Sequence, residues 1–339
     1  MNNWQQYFAL QGPNSRHALT VADLADGFIA PMDDLALIKA EGIDAASFLH
    51  KQLTNDVEHL SMTQARLAGY CSPKGRLMAT FLMWRDAESI FLQLPRAISA
   101  TLQKRLQMFV MRAKVTLLDA SDDQLTLGLG GRNAAAALAT WFDALPDAPY
   151  AKIDHALGTL LRVADACGAP RYQWLMSGAT AQSVWPVLAA TLAAGDDAAW
   201  MLSQVHAGVP QIDAATQEKF VPQMVNFELL GGVNFKKGCY PGQEIVARSQ
   251  YLGKLKRRTT LVTIDDMAAK AGDNLFAISD PEQPCGMIVN AAPNGAGGID
   301  ALVEIKLAAI DEASIHLGAQ DGARVRFLTM PYALDALDL

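Results

Sequence analysis

The sequence KKGCYPGQE occupies residues 236–244 and is followed by IVARSQYL at residues 245–252. We predict a short helix over the second stretch. Pro241 suits its first helical position, where a missing N–H costs nothing, and Glu244 places a negative charge in its first turn. Gly253 is expected to end the helix. The stretch as a whole predicts a loop that leads directly into a helix N-terminus.

Cys239 lies in this loop, just downstream of Lys236 and Lys237. A helix N-terminus and neighbouring cations both favour a thiolate over a thiol, so the sequence indicates a reactive cysteine. The alternative is a small buried apolar side chain, which is the usual role of a free cysteine. The setting of Cys239 favours the reactive role.

Composition places the chain among globular proteins with two or three domains. It has 339 residues, of which 51% are hydrophobic and 19% charged, enough for several cores and too apolar for a disordered chain. A net charge of −7 argues against a general nucleic-acid or membrane-surface binder, which is usually basic. No apolar run reaches the roughly 18 residues of a membrane helix, and no basic leader opens the chain, so we predict a cytoplasmic protein.

Neither the cysteines nor the histidines are spaced as metal ligands. The four cysteines include no C-x-x-C pair, and no two of the six histidines have H-E-x-x-H spacing. We therefore predict no metal site and no disulfide framework. No histidine lies close to Cys239 in sequence, although His206 could approach it in the fold.

Apolar patterning predicts two similar α+β modules. In the first, a buried strand at 35–40 is followed by a helix that Asp44 caps and that extends to Val57. Three strands, a second helix and a closing strand complete it. The second module begins with a strand at 124–129 and a helix at about 133–142. Strands near 159–163 and 171–176 follow, and then a helix from about 180 to 192, in which Pro186 indicates a kink or a later start. The shared order β-α-β-β-α suggests an internal duplication, with a binding pocket between the two modules.

Residues 206–237 show no clear periodicity. An irregular segment of this length inside a compact protein is usually functional or disordered, and its apolar content argues against disorder. Its polar residues Gln223, Asn226 and Glu228 are therefore candidate ligand contacts. The alternative, that they bond only to local backbone, has equal support from the sequence.

Short strands separated by Gly, Pro and Asn turns follow residue 253, which is typical of a small antiparallel β-barrel of five or six strands. We therefore predict three domains. They are a first α+β lobe at 1–122, a second α+β lobe at 123–252 with the irregular segment and the cysteine loop, and a C-terminal β-barrel at 253–339.

Several stretches of the chain carry a family resemblance. They are Gln52-Leu53-Thr54-Asn55-Asp56, Tyr70, Pro73-Lys74-Gly75-Arg76, Gly208-Val209-Pro210, residues 218–226 (EKFVPQMVN), residues 237–244 (KGCYPGQE) and Val246-Ala247-Arg248. These motifs resemble those of the YgfZ-type folate-binding proteins, which are relatives of aminomethyltransferase, the T-protein of the glycine cleavage system. The resemblance extends from about residue 30 to 330, and the cysteine motif is its most specific part.

The resemblance implies a three-lobed, ring-like T-protein-type architecture, with two β-α-β-β-α modules and a C-terminal antiparallel β-barrel around a central folate site. It implies tetrahydrofolate or a derivative as cofactor. It also implies a role in assembly or repair of iron–sulfur proteins and, through iron–sulfur tRNA methylthiotransferases, in tRNA modification. In this role Cys239 is expected to act next to the bound tetrahydrofolate. We expect transient contacts with such enzymes, no direct contact with nucleic acid or membrane, and a monomer.

One departure from the family pattern concerns catalysis. Aminomethyltransferases carry a catalytic Asp in a Gly-Gly-Ile-x-Asp-Asp-like stretch, and this chain has Gly75-Arg76-Leu77-Met78-Ala79-Thr80 in that region. Neither Ala79 nor Thr80 can hold a proton for an aminomethyl donor. Their tyrosine-glycine-glutamate signature is replaced by Arg171-Tyr172-Gln173-Trp174. The sequence favours an accessory role, and a folate-dependent one-carbon transferase with an unknown donor is the alternative.

The resemblance and the residue chemistry together define a predicted site. A pteridine needs matched polar groups at its edge, and a glutamate tail needs positive charge. Cys239 is assigned as nucleophile, single iron ligand or redox thiol, and a purely structural role stays open. The predicted catalytic set is Cys239, Lys237, Tyr240 and Glu244. The predicted cofactor-binding set is Gln223, Asn226 and Glu228 at the edge, with Gly238, Gly242 and Gln243 nearby, and Lys236, Lys237 and Arg248 at the tail. Lys254, Lys256 and Arg258 are further candidate tail contacts, and the alternative for these three is a solubilising strand face.

Overall fold

The computed structural model describes residues 4–11, 16–252, 255–310 and 314–334. Gly253 and Lys254, which the sequence assigned to a helix end and a tail contact, lie outside these residues. The first elements are α1 (Trp4–Gln11), α2 (Val21–Asp26), β1 (Phe28–Pro31), β2 (Leu35–Glu41), α3 (Ala45–His50), β3 (Arg66–Cys71), β4 (Leu77–Arg85), β5 (Ser89–Pro95), α4 (Arg96–Met108) and β6 (Thr116–Asp119).

The following elements are β7 (Leu125–Gly130), α5 (Ala134–Leu138), β8 (Lys152–His155), β9 (Gly158–Ala166), β10 (Ala169–Met176), α6 (Gly178–Ala189), β11 (Ala193–Ala194) and α7 (Asp197–His206). The C-terminal part contains α8 (Gln243–Tyr251), β12 (Arg257–Ile264), β13 (Asn274–Ala277), β14 (Asp280–Pro293), β15 (Ile299–Lys306), α9 (Leu307–Ile310), β16 (Ile315–Leu317) and β17 (Val325–Leu328). The fold is therefore mixed α+β, as predicted.

The first sheet has the strand order β3-β4-β5-β2-β6, and every neighbouring pair is antiparallel. Helix α4 covers one face, where Ile98, Leu102 and Leu106 recur every fourth residue and are buried. The opposite face is buried too, because Leu67 and Leu82 belong to a central core shared with the other sheets. Burial on both faces explains why β4 is almost continuously apolar.

The second sheet has the strand order β11-β1-β7-β10-β9-β8. Its run β8-β9-β10-β7 follows the same order as β3-β4-β5-β2 in the first sheet, so four strands repeat the same arrangement. The next position differs. In the first sheet it is filled by β6, which follows in the chain, whereas in the second it is filled by β1, from the start of the chain. Strand β8 was not predicted.

The N-terminal helix packs with the second sheet. The ring centroids of Trp4 in α1 and Trp185 in α6 are 5.3 Å apart within one buried cluster. The carboxylate of Asp33 accepts hydrogen bonds from the backbone N–H groups of Trp4 and Gln5 at 3.0 and 2.9 Å, which satisfies the start of the helix. The start of the chain thus packs with the second sheet, whereas the predicted domain boundaries placed it in the first lobe, at 1–122. The predicted boundaries at 122 and 252 stay predictions.

Helix α3 is shorter than predicted. It ends at His50, and its expected extension to Val57 is wrong, because the backbone N–H of Thr54 donates to a β3 carbonyl at 2.8 Å and the chain turns toward that strand. Asp44 precedes the helix but does not cap it. Its carboxylate instead accepts a hydrogen bond from the backbone N–H of Lys114 at 2.7 Å, next to the start of β6.

Two further helices differ less from expectation. Helix α5 ends at Leu138, and the residues predicted to extend it to 142 form turns that still bury Phe142. Helix α6 contains Pro186, yet it begins early, at the position where the Ser177 hydroxyl accepts a hydrogen bond from the backbone N–H of Thr180. The alternative of a late helix start at the proline is therefore wrong.

The third sheet has the order β16-β13-β14-β15-β12-β17, with antiparallel pairs throughout. A bridge between His316 and Arg324 brings its two edges toward each other, so the sheet is curled into a half-barrel. Leu261 and Leu302 belong to the same central core as the inner faces of the other two sheets. None of the helices in the described part of the chain combines the length and apolar character needed to cross a bilayer.

Candidate functional site

Residues 207–242 connect α7 to α8, and the 3-10 turn Pro222–Val225 is the only helical element that they form. The segment is held by hydrogen bonds to the first sheet. The backbone N–H of Glu218 donates to the carbonyl of Leu77, and the N–H of Leu77 donates to the carbonyl of Phe220, each at 2.8 Å. The irregular segment is therefore ordered against the first sheet, and its apolar content had argued against disorder.

Asn226 connects this segment to the third sheet. It is fully buried and has a left-handed backbone (φ 56°). Its Nδ2 donates to the carbonyl of Thr259 in β12 at 2.8 Å, and its Oδ1 accepts from the N–H of the same residue at 3.4 Å. Gln223 is buried in the same region, where its Nε2 donates to the carbonyl of Val246 in α8 at 2.8 Å.

Glu228 and Arg258 form a buried ion pair across the same junction, and Arg258 Nη1 also donates to the carbonyl of Gln223 at 2.9 Å. The side chains proposed for the pteridine edge thus each make contacts where the irregular segment meets α8 and β12, although Gln223 Oε1 is buried without a partner among the described residues. Arg258, proposed for the folate tail, is buried there too. A role of Gln223, Asn226 and Glu228 in folate binding stays a prediction, while their structural role is visible.

Gly242 fixes the start of α8 against the first lobe. It is the N-cap of the helix and has a left-handed φ of 79°. A Cβ on this residue would lie 2.4 Å from the carbonyl oxygen of Ser72 and 2.6 Å from Cα of Gly75, so only glycine fits. Because α8 begins at Gln243, Pro241 lies before the helix and its predicted first-turn position is wrong. Glu244 does occupy the first turn.

Cys239 is the exposed one of the four cysteines; Cys71 and Cys285 are buried and Cys167 is half-buried. The next residue, Tyr240, is buried. Burial raises the pKa of the Tyr240 hydroxyl, and the nearby Cys71 raises it further. That hydroxyl has no hydrogen-bond partner among the described residues. The loop is thus anchored by the tyrosine ring, and the thiol of Cys239 faces outward.

Lys237 points into the protein instead of toward solvent. Its Nζ donates to the backbone carbonyls of His50 and Leu53 at 2.5 and 2.9 Å and lies 4.8 Å from the centre of the Tyr240 ring. Burial lowers the pKa of Lys237 to about 8, although the nearby Asp56 and Cys239 act in the opposite direction. The ammonium therefore links the cysteine loop to the turn after α3.

The ionisation of Lys237 gives a first prediction. Its labelling by acetic anhydride should reach half its maximal rate near pH 8, because burial favours the neutral amine. Mass spectrometry of the Lys237 peptide across pH 6.5–11 measures this, with the exposed Lys104 as the reference peptide in the same digest. Half-maximal labelling near the ordinary lysine value of about 10.4 would contradict the buried position.

A histidine that the sequence did not suggest lies beside the cysteine loop. A Cβ built on Gly238 would be 3.7 Å from His50 Nε2. His50 Nδ1 is 3.2 Å from Asp56 Oδ1, and Asp56 Oδ2 is 2.8 Å from His59 Nδ1. His206, the histidine considered from the sequence, has its Nε2 2.7 Å from a carboxylate oxygen of Asp300 in the third sheet.

A separate cavity lies between the sheets, and its volume is about 40 Å³. Strands β4 and β5 line one side and β9 and β10 the other, while α7 and residues 209–211 close it. This volume is enough for a few waters. A flat aromatic ring would therefore enter only if side chains moved.

Two buried polar side chains in this cavity have unused hydrogen-bonding atoms. Arg171 donates to the carbonyl of Ala164, to Ser203 Oγ and to Gln204 Oε1 at 2.8–3.0 Å, but its Nη2 has no partner among the described residues. Burial lowers the pKa of Arg171 to about 10. Gln173 Oε1 is likewise buried without a described partner. The cavity thus offers one donor and one acceptor for a ligand.

None of the residues predicted for catalysis or cofactor binding lines this cavity. Lys236, Gly238, Glu244 and Arg248 are exposed on the loop and on α8, and Gln243 is half-buried at the helix start. Sequence reasoning missed Arg171 and Gln173 as site residues. A signal was present, since a charged residue and an amide interrupt an otherwise apolar strand.

Comparisons with known proteins agree with this architecture. Glycine cleavage system aminomethyltransferase T from Bartonella henselae superposes with a TM-score of 0.73 at 15% identity, over 93% of this chain and 90% of that one. The tRNA-modifying protein YgfZ of Photorhabdus laumondii is 30% identical over 309 residues, 90% of this chain and 92% of that protein. Its counterpart in Edwardsiella ictaluri is 29% identical over the same shares. No protein-family model matches the chain.

The superposition over nine-tenths of both chains shows that this protein has the aminomethyltransferase T fold. Within that class, sequence identity to the two relatives extends over nine-tenths of the chain and shows the family. The chain belongs to the family of the tRNA-modifying protein YgfZ.

Proposed function

We propose that the protein binds tetrahydrofolate or a derivative in the central cavity and supports tRNA modification through Cys239, by assisting the assembly or repair of iron–sulfur proteins. The observation that carries the folate part is the pair of unused buried polar atoms, Arg171 Nη2 and Gln173 Oε1, in a cavity between the sheets. The tRNA part rests on the relatives, which are named tRNA-modifying proteins.

The cavity residues fit a pteridine in chemical type. The amino-pyrimidinone edge of a pteridine presents N–H donors beside a carbonyl acceptor. Gln173 Oε1 would accept from the N–H groups, and Arg171 Nη2 would donate to the carbonyl. Phe81 and Trp200 would supply apolar walls. Lys236 and Arg248 remain our proposed contacts for the anionic tail.

The transferase alternative has weaker support. A one-carbon transfer from an aminomethyl donor needs a group that can hold or remove a proton. Among the described residues that line the cavity there is neither an aspartate nor a glutamate, and Thr80 occupies the first-sheet wall. Its hydroxyl is already used, accepting from the N–H of Ile212 at 3.1 Å. We therefore propose that the protein acts as an accessory factor. We expect it to be a monomer that contacts iron–sulfur enzymes transiently.

A binding titration with tetrahydrofolate tests the ligand and its position together. Gln173→Met should weaken binding about tenfold, because one hydrogen bond worth about 1–1.5 kcal/mol is lost in a buried site. Gln223→Met is the matched control, since it removes an equally buried amide at the junction with α8. We expect its affinity to stay within about twofold of the wild type.

The reverse pattern, with loss in Gln223→Met alone, would place the ligand at the junction and overturn the cavity assignment. No binding to the wild type at millimolar tetrahydrofolate would overturn the folate proposal itself. Circular dichroism of each variant before titration separates a lost contact from a lost fold.

A further inference from the structure

The C-terminal end of the described chain reaches back to the junction of the irregular segment with the third sheet. Strand β17 ends at Leu328, and shortly after it Pro331 and Tyr332 lie against Gly208, two residues after α7. We call residues 330–334 the C-terminal strap. No backbone-to-backbone hydrogen bond holds the strap to any other described residue. Its attachment therefore depends on side chains.

Tyr332 is the side chain that attaches the strap. Its hydroxyl donates to the Gly208 carbonyl at 2.7 Å and accepts from Asn226 Nδ2 at 3.4 Å. A Cβ on Gly208 would lie 2.5 Å from Cε1 and 3.1 Å from Cζ of Tyr332, so one edge of the ring lies directly on this backbone. Gly208 also has a left-handed φ of 67°. A glycine is therefore needed here both for its backbone and for the room that the tyrosine ring takes.

The ring of Tyr332 lies beside the central cavity. The carbonyl that accepts from its hydroxyl directly precedes residues 209–211, which line that cavity. Burial raises the pKa of the Tyr332 hydroxyl, and the hydrogen bond from Asn226 lowers it. Glu228 and Tyr150 are close enough to raise this pKa further, and Tyr150 is another lining residue of the cavity. The phenol thus lies between the cavity and the polar groups of the junction.

The size and chemistry of this position match a flat aromatic ligand. The cavity as it stands holds only a few waters, so a pteridine needs space that side chains now occupy. The Tyr332 ring is itself flat and aromatic, and its polar edge is bonded to a carbonyl and an amide. Its withdrawal would add a ring-sized space beside the cavity and would leave that carbonyl and that amide for a ligand to bond.

We propose that the C-terminal strap is a plug, and that the Tyr332 ring occupies in the free protein the space that a planar heteroaromatic ligand takes on binding. Ligand and strap then exclude one another. The strap withdraws toward solvent, where Pro331 and Ala333 are already exposed. The apparent dissociation constant is the intrinsic one divided by the fraction of molecules with an open strap. This inference rests on the proposed folate site and adds the means by which access to it is controlled.

A tetrahydrofolate titration of the full chain tests the competition. Tyr332→Ala should bind about tenfold more tightly than the wild type, because no ring has to leave. Tyr332→Phe keeps the ring but loses both hydroxyl bonds, so it should bind about threefold more tightly, and it decides the question if Tyr332→Ala fails to fold. Phe327→Ala is the matched control, since it removes an aromatic ring of β17 that packs on the core of the third sheet. Its affinity should stay within about twofold of the wild type.

Limited proteolysis follows the strap itself. Chymotrypsin cleavage after residue 332, measured by mass spectrometry of the released peptide, should be about fivefold faster in wild type saturated with tetrahydrofolate, because the ligand holds the strap open. Protection of this bond by the ligand, or wild-type affinity in the folded Tyr332 variants, would overturn the plug and leave the folate proposal standing. No binding by any of these proteins at millimolar tetrahydrofolate would overturn the folate proposal and the plug that rests on it.

Discussion

Cys239→Ala should abolish the cellular function while leaving tetrahydrofolate affinity within about twofold of the wild type. The thiol is exposed at the end of an anchored loop, and the cavity proposed for folate does not include it. Removing an exposed sulfur leaves no buried gap, so the free energy of unfolding should change by less than about 0.5 kcal/mol. Function should disappear because the thiolate is the group proposed to react.

Mass spectrometry of modified tRNA nucleosides measures this outcome, in cells that lack the protein and carry either variant or wild type. Cys167→Ala is the control, since it removes a half-buried thiol outside the cysteine motif. It should restore nucleoside levels fully. Full restoration by Cys239→Ala would show instead that the cysteine motif is structural, which is the third reading that the sequence left open.

Asn226→Ala should lower the free energy of unfolding by about 3–7 kcal/mol. The substitution leaves the N–H and C=O of Thr259 buried without partners, at about 1–3 kcal/mol each. It also leaves an alanine in a left-handed conformation, which costs about 1 kcal/mol more. The junction between the irregular segment and the third sheet would lose its central connection.

Denaturant unfolding of three variants separates these contributions. Asn226→Gly keeps the backbone unstrained and should recover about 1 kcal/mol relative to Asn226→Ala. Asn234→Ala removes a surface amide that only caps a local turn to Lys236, and it should cost less than about 1 kcal/mol. If Asn226→Ala unfolds like the wild type, the amide serves a ligand and not the fold.

Much of the architecture could be predicted from local patterns. Continuous apolar runs such as β2 and β4, and the fourfold spacing in α4, are local consequences of burial and were found. The end of α3 could not be found in this way, because the bond from Thr54 to β3 competes with the helix and depends on tertiary contacts. The same holds for β1, whose partner β7 lies almost a hundred residues further along the chain.

Some residues of the site could be predicted from the sequence and others could not, for a related reason. The compact cysteine motif, with its own glycines and tyrosine, pointed to Cys239, whose thiol is exposed. The inward direction of Lys237 was not predicted, because its acceptors, the carbonyls of His50 and Leu53, lie far away in the chain. His50 contacts that motif from 187 residues before Lys237, and no spacing rule links the two. Asn226 and Gln223 were recognised as unusual polar residues in an apolar segment. The sequence alone could not decide whether they contact a ligand or other parts of the protein, which are β12 for Asn226 and α8 for Gln223.

The position of β1 beside β7 has a consequence for synthesis on the ribosome. Residues 35–119 contain every strand of the first sheet, so that sheet can close as soon as they emerge. Strand β1, which precedes this sheet in the chain, cannot pair until β7 has been synthesised. That synthesis takes seconds more at about 5–20 residues per second. During this interval Phe28–Pro31 is an unpaired apolar edge, a target for chaperones or for wrong pairing. Deletion of the N-terminal stretch would therefore damage the second lobe and spare the first.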